Sequence, residues 1–179
     1  AGSDIDEGGF GNPTGHNRGV LTRELNVAEI MSRRFAAEVP TVVHFDFNSS
    51  RLDGEAQEAL RRQAAWIRRF PEIRFSVTGH TDLVGSERFN HQLGQRRAQA
   101  VVAFLRRQGT GQARVQAVTS RGQREPLIQT PEPERQNRRA ETRITGFVRQ
   151  PTEMRGRYAE IINREFIESA TYVRPDFYR

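Results

Sequence analysis

Residues 79–101 read GHTDLVGSERFNHQLGQRRAQAV, and their organisation decides the fold. Ile73, Phe75 and Val77 alternate as a strand that runs into Gly79-His80-Thr81-Asp82. Gly79 and Gly85 bracket a tight loop whose backbone can come close to a partner. Ser86 is placed as an N-cap, Glu87 lies in the first turn and Gly109 stops the run, so the spacing predicts a helix from Ser86 to Gln108. Drawn at about 100° per residue, this helix has an apolar face defined by Leu93, Val101 and Phe104. Asn90 and Arg97 fall inside that sector. Arg88, Arg106 and Arg107 lie away from its centre and read as solvated surface. An arginine aimed at a core has to find a carboxylate or an opening, because an unpaired buried charge costs several kcal/mol.

Asp82, in the loop before the helix, is the nearest carboxylate. A carboxylate, an amide and a guanidinium around one mouth suit a zwitterion, with Asp82 taking an ammonium and Arg97 gripping a carboxylate through two parallel hydrogen bonds. The expectation is an open, wet pocket. An internal Asp82–Arg97 salt bridge that only closes the fold remains the alternative on residue geometry.

Outward from this segment the chain alternates in kind. Thr41 to Phe47 alternates, with Val43, Phe45 and Phe47 on one face, and predicts a strand. Ala56, Leu60, Ala64 and Ile67 form the stripe of a helix from about Gly54 to Phe70, which Pro71 ends. Val115, Ala117 and Thr119 suggest a third strand, and Thr142 to Val148 a fourth. The order β-α-β-α-β-β implies an α/β sandwich: a small four-stranded sheet with two long helices on one face. This core spans residues 41–148. Residues 1–19 read as a flexible leader, and residues 20–40 as an amphipathic helix carrying Leu21, Leu25, Ala28, Ile30, Met31 and Phe35, with Thr22 as its cap and Pro40 as its stop. Residues 149–179 read as a helical extension whose Tyr158, Ile161, Ile162 and Phe166 share a face.

Composition narrows the function. The 179 residues carry a net charge of +6, and all 28 basic residues are arginine. The exclusive use of arginine fits codon bias, and the dispersal of these residues among 22 acidic ones argues against a nucleic-acid surface. The chain has no cysteine, which excludes disulfides and thiolate chemistry. No stretch approaches the roughly 18–20 apolar residues of a membrane helix, nor the apolar segment of a signal peptide.

The segment quoted above resembles the signature of the OmpA-like domain family, G-H-T-D, then G, then N-x-x-L-S-x-x-R-A, at Gly79, His80, Thr81, Asp82, Gly85, Asn90, Leu93, Arg97 and Ala98. Phe45-Asp46-Phe47 resembles the family's F-D-F strand, and Asn137-Arg138-Arg139 its N-R-R motif. The resemblance implies non-covalent binding of peptidoglycan, with Asp82 and Arg97 holding the amine and carboxylate of diaminopimelate. Thr81 of the same motif, Asn90, Asp46 and Arg138 are implied as further ligand-binding residues. It also implies a periplasmic protein tethered to the outer membrane of a Gram-negative bacterium, through a lipid anchor if a cysteine lies upstream. One departure stands out: the signature's Ser is Gly94 here, which costs helix propensity of about 1 kcal/mol and could let a ligand or loop approach.

Other function classes fit less well. His80, Asp82 and Ser86 could pass for a triad, but no nucleophile-elbow motif is present. His16, His44, His80 and His91 match no recognised metal-ligand spacing. Neither a catalytic role nor a cofactor is expected. An envelope adaptor that keeps the fold and docks a protein partner through its terminal helices is the competing reading.

Overall fold

The computed structural model describes residues 27–147, which belong to one compact unit, Ala1–Val148. The elements, in order, are helix α1 (residues 27–38), strand β1 (Val42–His44), helix α2 (Gly54–Arg69), strand β2 (Ile73–His80), helix α3 (Glu87–Arg107), a 3-10 turn (Gln112–Arg114), strand β3 (Val115–Gly122) and strand β4 (Arg139–Phe147). The sheet order is β1-β4-β2-β3. β4 inserts antiparallel between β1 and β2, and β3 lies parallel to β2 across the α3 crossover.

Alternation along β2 decides the layering. Ile73, Phe75 and Val77 are fully buried, together with Ala140 and Ile144 of β4 on the same face. α2 and α3 pack on each other and on this face of the sheet. The opposite face is polar, with Ser76 bonded to Thr145 and Thr78 to Thr119. The expected stripe of α2 is buried along its length. Asp53 caps that helix by accepting from the Ala56 amide at 2.7 Å. At its other end Arg114 donates to the carbonyl oxygens of Ile67 and Phe70, and also to Ile73, satisfying groups that a helix terminus leaves open.

α1 is part of the core. Met31 and Phe35 are fully buried, and the Phe35 ring packs at a tilt against Trp66 of α2, centroids 4.9 Å apart. Trp66 donates its indole N–H to Glu38 at 2.8 Å. The leader, Leu21, Thr22, Leu25 and the 149–179 helix lie outside the described residues.

Two boundaries differ from expectation. β1 ends at His44 and Phe47 is 53% exposed instead of facing the core with Val43 and Phe45. The chain leaves the sheet here: Phe45 donates its amide to Arg138, Ser49 closes a turn onto Asp46, and Asn48 adopts φ +51. β4 starts at Arg139, three residues before the expected Thr142, because its first residues pair with β1.

Candidate functional site

α3 is built as its sequence suggests. Ser86 accepts from the Phe89 amide at 3.3 Å, and Gly109 (φ +87) follows the helix end. Asn90 and Arg97 do lie on the buried face, at 1% and 0% exposure. Arg97 is among the largest fully buried side chains of the described residues.

The way Arg97 is satisfied also differs from the alternative reading, an internal salt bridge to Asp82. Its Nε donates to Ser49 O at 2.8 Å, its Nη1 to His80 O at 2.9 Å and its Nη2 to Asp46 O at 3.1 Å. The turn that removes Phe47 from the sheet is what aims the Asp46 and Ser49 carbonyls at it. The guanidinium carbon lies 5.2 Å from the centre of the Phe45 ring. Burial pushes the Arg97 pKa down to about 10, and the charge of Arg138 adds to this while that of Asp82 opposes it.

Asp82 is 3% exposed and pairs with Arg138, Nη1 to Oδ2, at 3.2 Å. Arg138 also donates through Nε to Phe45 O at 3.0 Å. The centre therefore holds one carboxylate and two guanidinium groups, with Asp82 and Arg97 buried and Arg138 keeping a side-chain exposure of 12%. The open, wet pocket expected from the sequence is corrected: loop 46–49 and the Asp82 loop converge on Arg97 and Arg138 and shut it.

The other expected residues surround this centre in distinct ways. The Asp46 side chain is exposed at the rim, while its carbonyl faces Arg97. Thr81 is buried, its hydroxyl on Asp82 O at 3.0 Å and its amide on Gly122 O at 2.9 Å. Asn90 braces the loop, donating to Val84 O at 3.0 Å and Gln123 Oε1 at 2.6 Å, and its Oδ1 has no partner among the described residues. Sequence reasoning missed Ser49, Phe45 and the His80 carbonyl, since backbone acceptors leave no mark in residue type. The polar Asn48-Ser49-Ser50 run after F-D-F was the available turn signal.

Two neighbours fix the loop from behind. The His80 ring is buried, with Nε2 at 3.9 Å from Glu141 and Nδ1 unpartnered among the described residues. Burial, with the nearby Arg139 charge, pulls its pKa down to about 4. Gly94 lies against β2 and β3. A Cβ on Gly94 would stand 2.3 Å from Ser120 Oγ and 2.9 Å from Gly79 O. The missing signature serine is matched by the bulk of Ser120.

A β-α-β-α-β-β sheet-and-helix layer with a buried acid–arginine centre at the end of β2 defines a small α/β domain of the OmpA-like kind. The chain belongs to the OmpA family, whose model matches residues 44–140. It is 34% identical over 116 residues to a peptidoglycan-associated lipoprotein of Brucella melitensis, covering 64% of this chain and 69% of that one. Among solved structures, the peptidoglycan-associated lipoprotein from Burkholderia pseudomallei superposes with a TM-score of 0.56 at 30% identity, over 59% of this chain and 91% of that one. The C-terminal domain of Helicobacter pylori MotB shares the fold at 21% identity and a TM-score of 0.51, over 69% of this chain and 97% of that one.

Proposed function

We propose that this protein binds peptidoglycan non-covalently through the diaminopimelate residue of the stem peptide, anchoring the outer membrane or an envelope complex to the wall. One observation carries this reading: the centre sets one buried acid, Asp82, against two arginines, the buried Arg97 and the partly exposed Arg138. It carries a surplus positive charge where water screens little. A ligand that brings a carboxylate neutralises that surplus, and its ammonium can take Asp82 in place of Arg138. The amine-and-carboxylate end of diaminopimelate supplies both groups at one carbon. Arg138 would then turn its Nη atoms to the ligand carboxylate while its Nε stays on Phe45 O. Arg97 would hold the walls and add field, with Thr81 and Asn90 fixing the loop and Asp46 at the rim.

The names of the Brucella and Burkholderia relatives support the wall as partner and the Gram-negative envelope as location. The test is co-sedimentation with purified sacculi. Retention is expected on diaminopimelate-type sacculi, with much weaker retention on lysine-type sacculi, whose third residue lacks the distal carboxylate. Equal retention on both would overturn the reading.

A further inference from the structure

Next to the buried centre lies a cleft of about 350 Å³ between residues 50–52 and α3. Leu52, Ala100, Ala103 and Phe104 give it an apolar floor, and Arg51 and Arg107 flank it. No acidic side chain lines it, and neither arginine has an ion-pair partner among the described residues. The Arg107 guanidinium lies over the Phe104 ring at 5.6 Å, turned back along the helix towards the cleft. The cleft at the start of α3 differs: there Arg124 is already paired with Glu87 at 2.5 Å and Arg121 with Glu125 at 3.3 Å.

The cleft and the centre are built from the same two chain segments. Ser49, whose carbonyl holds Arg97, immediately precedes the Ser50–Leu52 wall. Ala100 and Phe104 follow Arg97 on α3 by one and two turns. From Arg97 to Phe104 the helix advances about 10 Å at 1.5 Å per residue. An extended chain covers that in about three residue-lengths of 3.3–3.6 Å each. The side chain of diaminopimelate and one further residue supply such a length.

We propose that this cleft is a second anion subsite that takes a free terminal carboxylate and the small apolar side chain of the residue following diaminopimelate. Arg51 and Arg107 would hold the carboxylate, and a methyl group would rest on Ala100 and Ala103. This rests on the peptidoglycan reading above.

The test is calorimetric titration of the full chain with a synthetic tetrapeptide stem ending in D-alanine and with its C-terminal amide. Wild type is expected to prefer the acid by roughly tenfold, as two partly exposed ion pairs allow. Arg51→Gln combined with Arg107→Gln should erase that preference while leaving the amide's affinity unchanged. Equal affinity of wild type for acid and amide, or a preference that survives in the double variant, would overturn the subsite and leave the diaminopimelate reading standing. Failure of wild type to bind either peptide would sink both. Asp82→Asn should weaken both peptides alike.

Discussion

Asp82 and Arg97 share a centre without being partners: the carboxylate is held by Arg138 at 3.2 Å, and the guanidinium of Arg97 is directed to three main-chain carbonyls. The two residues therefore have separable roles, and mutation should separate them.

Arg97→Ala should be strongly destabilising. It strips hydrogen bonds from three carbonyls in two chain segments and leaves a void beside Phe45, so a loss of roughly 3–5 kcal/mol is expected. Arg97→Lys should recover only a small part, because one ammonium cannot serve three divergent acceptors. Denaturant melts check this. A variant within about 0.5 kcal/mol of wild type would show that the carbonyls find other donors.

Asp82→Asn should behave differently. It keeps the shape and an acceptor for Arg138 but removes the centre's one negative charge, so a loss of roughly 3 kcal/mol is expected even with the packing intact. Muropeptide binding should collapse, since a neutral amide cannot form an ion pair with the ammonium. Titration of the folded variant is the check, and wild-type affinity would exclude Asp82 from the ligand.

His80 makes stability depend on pH. Its folded pKa of about 4 lies below the ordinary value of 6.5. A base depressed in this way favours the folded state fully above its unfolded pKa, and that contribution is lost as pH falls from 6.5 through 4. About 1.4 kcal/mol per unit gives on the order of 3 kcal/mol across the window. Compared with wild type, His80→Gln should show a flatter decline between pH 6.5 and 4. Arg139, Glu141, Glu125 and Arg121 face the ring in both proteins. Parallel curves for the two would mean that carboxylates alone set the acid limit.

Gly94 and Ser120 should couple. Gly94→Ser, which restores the signature residue, forces a Cβ to 2.3 Å from Ser120 Oγ and should cost about 1–3 kcal/mol. Adding Ser120→Ala removes the nearer obstacle and should recover part of the loss, a coupling on the order of 1 kcal/mol in a double-mutant cycle. Strict additivity would show that the Gly79 carbonyl, 2.9 Å from the same Cβ, sets the limit.

Much of this architecture was legible in the chain. Alternation at Ile73, Phe75 and Val77, the stripe of α2, and caps at Ser86 and Gly109 mark elements whose local preferences agree with the fold. The placement of Asn90 and Arg97 on a buried face also followed from helical period alone. The F-D-F segment misled, because alternation cannot show where a strand leaves its sheet: Phe47 turns out and the Asp46 carbonyl turns in. The pairing of charges was likewise hidden. Asp82 met Arg138 because β4 runs between β1 and β2, a long-range placement absent from local pattern.

The docking of α1 bears on how this domain can be handled. The segment matched by the family begins at residue 44, yet the fully buried Met31 and Phe35 lie outside it, and Phe35 packs on Trp66. Burial of two such side chains contributes about 3–6 kcal/mol. A recombinant fragment cut at Thr41 would forfeit that contribution, strip the Trp66 indole of Glu38 and bare Trp66 and Phe70 as a sticky aromatic patch. Such a fragment should precipitate or self-associate where a fragment that includes the helix stays monodisperse, and poor sacculus binding by the shorter one would say nothing about Asp82.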